Sequence, residues 1–197
     1  MKFRVGGFAG RVFERMGGVP QNIPGGEIYQ ALEKGTIDAA EWVGPYDDQK
    51  LGFYKVAPHY YSPGWWEGGP QLDFFINQKA FNALTPEYKA IVENAAANAH
   101  VDMQAKYDGR NPKALKELVG AGAKLHAFPD AVMDLAFKES MALYAEISAK
   151  NASWAKIYAD YSKFLTSEKN NLNLDKYQKE NLYPGGKVCA DMSVFLD

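Results

Sequence analysis

The sequence predicts an α/β fold built on a parallel or mixed sheet. Short strand-like runs alternate with short helical runs in the order β-α-β-α-β through residues 1–43, a pattern typical of such sheets. Of the 197 residues, 47% are hydrophobic and 14% are aromatic, which is enough for one sizeable core, or for two lobes at most.

The first strand is predicted in KFRVGGF, and GRVFERMG follows as a short helix. The run VPQNIP is expected to be extended, because prolines restrict the residues before them to non-helical conformations. In GGEIYQALEKG, Ile28, Ala31 and Leu32 recur at helical spacing, and Gly35 is placed to end the helix. TIDAAEWV is then predicted as the third strand.

Residues 44–70 are rich in proline, glycine and aromatic residues, and we interpret them as an irregular strand or a segment crossing between lobes. QLDFFIN follows as a predicted strand. The run TPE at residues 85–87 supplies a hydroxyl N-cap, a proline in the first turn and an acid at the positive helix end. That helix is expected to run to about Tyr107 or beyond, and Asn-Pro at residues 111–112 is expected to start the next one, which ends near Gly120 or Gly122.

The remaining chain predicts one more strand and two more helices. AKLHAF is the strand, residues 129–150 form a long amphipathic helix, and a further helix runs from residue 152 to about residue 165. After Ser167 the chain becomes polar, and its last stretch, LYPGGKVCADMSVFLD, yields no prediction.

Charge and composition exclude several functions. The formal net charge is −2 and there is no block of Lys or Arg, so neither nucleic acid nor an anionic membrane is an expected partner. The single cysteine, Cys189, excludes an internal disulfide. No apolar signal segment follows Met1, so the chain as written is predicted to stay in the cytoplasm.

Familiar catalytic signatures are absent. His59, His100 and His126 are widely spaced and match no zinc pattern, and neither GxSxG nor GxxxxGK occurs. An enzyme is therefore not predicted. A general base at Glu41 or Glu67 is the weakest alternative, because no nucleophile accompanies either acid.

Polar residues cluster instead at predicted strand ends: Arg4, the Glu41-Trp42 pair, and Glu67 after Trp66. Ligands of open α/β sheets lie outside the carboxyl ends of the strands. An arginine there can hold a carboxylate through two parallel hydrogen bonds. Two glutamates there would repel each other unless a hard cation lay between them.

Each of these features also has an ordinary structural interpretation. From the sequence alone Arg4 is better explained as a surface residue at a strand edge, and Glu41 is explained equally well as the partner of a lysine. The aromatic side chains of residues 60–66 are typical of core packing, and Asp47-Asp48 of a solvated turn or a helix cap. On these residues alone the sequence predicts a soluble α/β domain with a candidate ligand site.

Long stretches of the chain resemble the DctP-type (family 7) solute-binding proteins of tripartite ATP-independent periplasmic (TRAP) transporters. The most specific are GGEIYQALEKGTIDAAEWVGPYDD and PGWWEGGP, supported by KFRVGGFAGRV and LTPEYKAIVENAA. The similarity extends from about Lys2 to about Lys163. It is greatest to the branch that binds 2-oxo acids or related monocarboxylates, such as pyruvate or lactate.

The resemblance implies a periplasmic-binding-protein-like (type II) fold, with two α/β lobes around a cleft joined by crossing strands and a long helix. Family members begin with an export signal and most of the first lobe. We therefore expect mainly the second lobe plus the long connecting helix here. Residues 1–166 would form an incomplete DctP-type solute-binding domain and residues 167–197 a divergent C-terminal tail.

The resemblance also implies roles for five positions. Arg4 would hold the ligand carboxylate, and Trp42 and Trp66 would contact the ligand. Glu41, the backbone of Trp42, and Glu67 would hold a sodium or calcium ion that also touches the ligand. The location implied by the family is the periplasm, with TRAP membrane subunits as partners.

An exposed apolar surface from a missing lobe would need cover, so a homo-oligomer is expected. The alternative to solute capture is a repurposed, self-associating scaffold or interaction protein that no longer takes part in transport.

Overall fold

The structure is a computed structural model that describes residues 1–66, 72–172 and 194–196, with the backbone alone described for 165–172 and 194–196. Within these residues the strands form one six-stranded sheet in the order β2-β1-β3-β6-β4-β5. The strands are β1 Lys2–Arg4, β2 Val19–Gln21, β3 Ala39–Glu41, β4 His59–Ser62, β5 Lys124–Ala127 and β6 Val194–Leu196.

Seven α-helices are described in these residues, and two 3₁₀ turns, Gly25–Glu27 and Phe53–Lys55, accompany them. The helices are α1 Gly7–Arg15, α2 Ile28–Glu33, α3 Pro45–Leu51, α4 Gln78–Asn82, α5 Pro86–Gly120, α6 Asp130–Lys150 and α7 Ala152–Leu172.

Strand direction fixes where a ligand site can form. β1 pairs in parallel with β2 and β3, and β4 pairs in parallel with β5. β6 runs antiparallel to both β3 and β4, so those two strands point the same way. The carboxyl ends of β1 to β5 therefore share one edge of the sheet, which we call the strand-end edge.

The sheet separates two apolar clusters. Ala39 and Ala40 are successive residues of β3, so their side chains point to opposite faces. Ala40 joins a cluster that includes Ile28 and Leu118, while Ala39 joins one that includes Phe3. All of these side chains are at most 2% exposed, so both faces of the sheet are covered.

The structure confirms the β-α-β-α-β order predicted for residues 1–43. Gly35 ends the second helical segment with a φ of 65°, the left-handed conformation that favours glycine at this position. The predicted strand in AKLHAF and the predicted helix over residues 129–150 are also present, as β5 and α6.

The prediction that Asn111-Pro112 starts a new helix is wrong, because α5 continues through both residues. A proline inside a helix costs about 3 kcal/mol. Burial of Ala114 and Leu118 on the following turns offsets that cost. The Asn111 side chain does not start a helix of its own, since its Oδ1 accepts the backbone N–H of Tyr46 in the first turn of α3 at 3.1 Å.

The predicted strand in QLDFFIN is also wrong, because residues 72–77 have no regular secondary structure. Leu72, Phe74 and Phe75 are 71–88% exposed, and residues 72–77 do not pair with any strand of the described sheet. Farther along the chain, α7 runs to Leu172 rather than ending near residue 165. The division of the chain into 1–166 and 167–197 stays a prediction.

The carboxylate of Asp48 is buried, and the expectation of a solvated aspartate is wrong. Its Oδ2 accepts the Tyr60 hydroxyl at 2.7 Å, and its Oδ1 accepts the N–H of Gly44, the residue before α3, at 3.3 Å. The Asp48 side chain therefore accepts a backbone N–H at the start of α3, as a capping residue would, while lying in the core. Burial raises the pKa of Asp48 from 3.8 to about 8, although the Tyr60 hydrogen bond opposes the shift.

In the described part of the chain, none of the helices combines the length and apolar character needed to span a bilayer.

The raised pKa of Asp48 predicts a pH-dependent stability. Between pH 4 and 8 the folded state binds a proton that the unfolded chain has lost. The free energy of unfolding should therefore fall as pH rises, by up to about 1.4 kcal/mol per pH unit from this group. In Asp48→Asn this contribution disappears, so the variant gains stability relative to the parent between pH 5 and 8.

Urea unfolding at several pH values measures this difference. Tyr60→Phe removes a hydrogen bond that lowers the Asp48 pKa. In that variant the fall of the free energy of unfolding with pH should therefore continue to higher pH than in the parent. A parent-minus-Asn difference that stays constant with pH would show that the Asp48 pKa is ordinary.

Candidate functional site

Arg4 and Glu41 meet at the strand-end edge. Each is the last residue of its strand, and the parallel register sets Arg4 beside Ala40, one position before Glu41. Arg4 Nη1 donates to the Glu41 carboxylate, and Arg4 Nε donates to the carbonyl of Ile23 at 3.2 Å. Two side chains far apart in sequence thus form one charge pair.

This pair is largely withdrawn from water. The Arg4 side chain is 19% exposed and the Glu41 side chain 9%. At such burial each charge needs the other, because an unpaired carboxylate there would lose its hydration without compensation. The guanidinium and the carboxylate are therefore held in fixed positions before any ligand arrives.

Trp42 forms one wall of the site. The Arg4 guanidinium carbon lies 5.1 Å from the centroid of the Trp42 ring, a cation–π distance. The indole lies against Gly25, where any Cβ would collide with the ring. Sequence reasoning did not single out Gly25, although the glycine pair of GGEIYQ was the available signal.

Trp66 lies on the other side of the sheet. Its ring packs edge-on against Phe3 and Phe128, with centroids 5.9 and 6.2 Å away. Phe3 and Arg4 are neighbours on β1, so their side chains leave opposite faces of the strand. Trp66 thus approaches the strand-end edge from the face opposite Trp42. Glu67 lies outside the described residues.

The donors at this edge suit a hard cation. The Glu41 carboxylate and the backbone carbonyls following β3 offer oxygen ligands. Calcium and sodium prefer such ligands, whereas zinc commonly binds nitrogen or sulfur. Among the described residues, no three His, Cys, Asp or Glu side chains form a metal-binding group. A cation held here would therefore need further oxygens, such as those of an organic acid.

Two histidines far apart in the sequence meet between β4 and β5, where the register sets His126 level with Glu41 across the sheet. His59 Nδ1 and His126 Nε2 are 2.8 Å apart, on the adjacent strands β4 and β5. Such a hydrogen bond needs one protonated and one bare ring nitrogen. Tyr61 lies over His126 with centroids 4.7 Å apart, so the pair belongs to the packing of the sheet.

Residues 1–151 match the model of the bacterial extracellular solute-binding proteins of family 7, DctP. The chain belongs to this family. Its members are transport proteins rather than enzymes, and the predicted α/β fold of a TRAP solute-binding protein is confirmed.

Several known proteins are similar to this chain over most of its length. A monocarboxylate 2-oxoacid-binding periplasmic protein of Nostoc is 44% identical over 164 residues, which are 83% of this chain and 45% of the relative. A TRAP solute-binding protein of Bordetella bronchiseptica, crystallised as a dimer with calcium and picolinate, is 47% identical with a TM-score of 0.82. It is matched over 92% of this chain and 54% of its own.

A third relative, from Pseudoalteromonas atlantica, holds sodium and pyruvate. It is 37% identical with a TM-score of 0.80, over 90% of this chain and 55% of its own. The chain thus spans about half the length of the relatives it matches.

The burial of the Arg4–Glu41 pair predicts strong coupling between the two residues. Arg4→Ala and Glu41→Ala should each lower the free energy of unfolding by about 2–4 kcal/mol, because each leaves the other charge poorly solvated. The double variant should lose clearly less than the sum. Urea unfolding at pH 7 measures all four proteins.

The matched control is the Arg15–Glu146 pair, which joins α1 to α6 at 2.6 Å with side chains 26% and 51% exposed. Exposed pairs contribute about 0–1 kcal/mol, so the same cycle there should show little coupling. Additive losses at Arg4 and Glu41 would contradict the pairing.

Proposed function

We propose that this chain is a solute-binding component of a TRAP transporter that captures a small 2-oxo or 2-hydroxy monocarboxylate, such as pyruvate or lactate. The observation that carries the proposal is the meeting of Arg4 and Glu41 at the strand-end edge. Relatives that hold calcium with picolinate or sodium with pyruvate support the ligand class. We also propose the family's location, the periplasm, for this chain.

In this proposal Arg4 holds the ligand carboxylate. The guanidinium matches a carboxylate with two parallel N–H donors, and the carbonyl of Ile23 and the ring of Trp42 keep it oriented. Glu41, the backbone carbonyl of Trp42, and Glu67 hold a calcium or sodium ion. That ion supplies the positive charge that neutralises the acids and attracts the ligand oxygens.

Binding then exchanges partners within a fixed set of charges. Before binding, the guanidinium and the Glu41 carboxylate neutralise each other. After binding, Arg4 pairs with the ligand anion and Glu41 with the cation. Neither ligand alone leaves both protein charges neutralised, so the cation and the organic acid should strengthen each other's binding. Trp66 contacts the ligand from the opposite face, and TRAP membrane subunits receive the loaded protein.

This exchange predicts a cation-dependent affinity for pyruvate. With calcium present, we expect a Kd on the order of 1 mM or weaker, because binding must first break the existing ion pair. With EDTA and no added cation, binding should be at least about tenfold weaker. The measurement is a pyruvate titration followed by calorimetry and by the NMR signal of the Trp42 indole.

Arg4→Ala should abolish the response. Arg15→Ala, which removes an equally paired arginine on α1, is the matched control and should leave it unchanged. A parent chain that shows no response to pyruvate with calcium or sodium would overturn the proposal.

One observation favours the scaffold alternative, in which the chain self-associates. Leu72, Phe74 and Phe75 before α4, and Tyr88 and Ile91 early in α5, are each 60–88% exposed. So much apolar surface is typical of an interaction site. We propose that a second copy of the chain covers it, as a homo-oligomer. The dimer described for the Bordetella relative supports self-association.

Sedimentation equilibrium tests this self-association. At a protein concentration of about 50 μM, we expect an interface of ordinary size to hold the copies together as a dimer or larger species. Phe75→Ser should shift the equilibrium to monomer, whereas Phe137→Ser, at a phenylalanine of α6 that is 65% exposed, should not. A monomeric parent chain would contradict the self-association. Self-association without any pyruvate response would favour the scaffold over the transport component.

A further inference from the structure

The strand β6 stands out because it lies outside the family match yet occupies the middle of the sheet. The family model ends at residue 151, and β6 is Val194–Leu196. Its neighbours are β3 on one side and β4 on the other. It is also antiparallel to both, whereas the other pairs in the described sheet are parallel.

Without β6 the sheet would consist of two separate pieces. β2, β1 and β3 form one parallel ladder, and β4 and β5 form the other. The backbone groups of β3 and β4 that face each other across the gap are bonded through β6. Ala39, Ala40 and Tyr60 are at most 1% exposed in the assembled sheet, so without β6 the backbone groups that it pairs with would need new hydrogen-bond partners.

The register ties β6 directly to the candidate site. Val194 pairs with Glu41, and Leu196 with Ala39. Glu41 is the last residue of β3, where a strand is least constrained by its own ladder. On the other side of β3, the pairing with β1 reaches Ala40. The β6 ladder is therefore the one that extends as far as Glu41.

We propose that residues 194–196 act as an internal donor strand, whose insertion between β3 and β4 joins the two ladders and fixes the position of Glu41. The occupant of the gap is the chain's own C-terminal strand. Binding of the cation and the organic acid then depends on this strand. That second half of the inference rests on the proposed function, whereas the insertion itself does not.

Hydrogen exchange on the unmodified chain tests the insertion. The amides of Val194–Leu196 should be protected to the same degree as those of Phe3 and Ala40 in the adjoining ladder, independently of protein concentration. Rapid exchange of the β6 amides would overturn the proposal. Protection that grows with concentration would also overturn it, because the strand would then come from a second copy.

Two substitutions at one position test the link to binding. Phe195→Pro removes a backbone N–H from a central strand, while Phe195→Val keeps that N–H and a side chain suited to strands. With calcium present, the proline variant should bind pyruvate about tenfold more weakly or worse, as expected for a lost ladder hydrogen bond at the site. The valine variant should bind like the parent.

A peptide of residues 190–197 separates displacement of the strand from general damage. Added to the Phe195→Pro chain, it should restore both the protection of the Ala39–Glu41 amides and the affinity for pyruvate. The same peptide with proline at position 195 should restore neither. If the proline variant does not fold, exchange on the parent chain decides whether the strand is inserted.

The outcomes distinguish the two proposals. If the β6 amides of the parent chain are protected but the chain does not respond to pyruvate, the proposed function and the binding half of this inference are overturned. The donor strand itself is then supported. A Phe195→Pro variant that folds, leaves Ala39–Glu41 as protected as in the parent and binds pyruvate equally well overturns the donor strand and leaves the proposed function intact.

Discussion

The parallel pairing of β1 with β3 is the constraint on which the candidate site depends. Arg4 and Glu41 are separated by a helix, a strand and another helix, and each ends its strand. Parallel strands connected by helices bring their carboxyl ends to the same edge, so the two side chains must meet there. The ion pair, the stacked Trp42 and the proposed site for a hard cation all depend on that alignment.

The two faces of the sheet contribute different parts of this edge. On one face Trp42 lies over the Arg4 guanidinium and against Gly25. On the other face Trp66 packs against Phe3 in the second apolar cluster. In the proposed site, a carboxylate held by Arg4 lies at the rim of the sheet beside the Trp42 ring, and Trp66 lies on the far face. Such a position offers an anion both a charge partner and protection from water.

Much of this arrangement could be predicted from the sequence because local signals determine it. The alternation of short strands and helices, the Gly35 helix end and the Thr85 cap depend on neighbouring residues, and the structure has each of them. The meeting of Arg4 and Glu41 follows from topology, which the β-α-β pattern already indicated. The five site residues were assigned by resemblance to a family, and their roles stay proposals.

The missed features depend on contacts that no short stretch of sequence specifies. Asn111 followed by proline is typical of a helix start, but its side chain accepts a hydrogen bond from a backbone N–H of α3. Asp48 has the appearance of a surface acid, but the Tyr60 hydroxyl and the N–H of Gly44 hold it in the core. The pairing of β6 with β3 and β4 joins segments more than a hundred residues apart, beyond the reach of local patterns.

The contact between Asn111 and Tyr46 gives α5 a mechanical property. Tyr46 lies in the first turn of α3, shortly after Trp42, so the loop that leaves the site is fastened to a buried point on a 35-residue helix. From Asn111 back to Pro86 the rigid rod measures about 37 Å at the usual rise per residue. Bonds from Tyr107 to Asp47 and from Gln49 to Glu117 fasten the same part of α5 to α3, so a tilt of about 5° that moved the far end by about 3 Å would carry α3 with it.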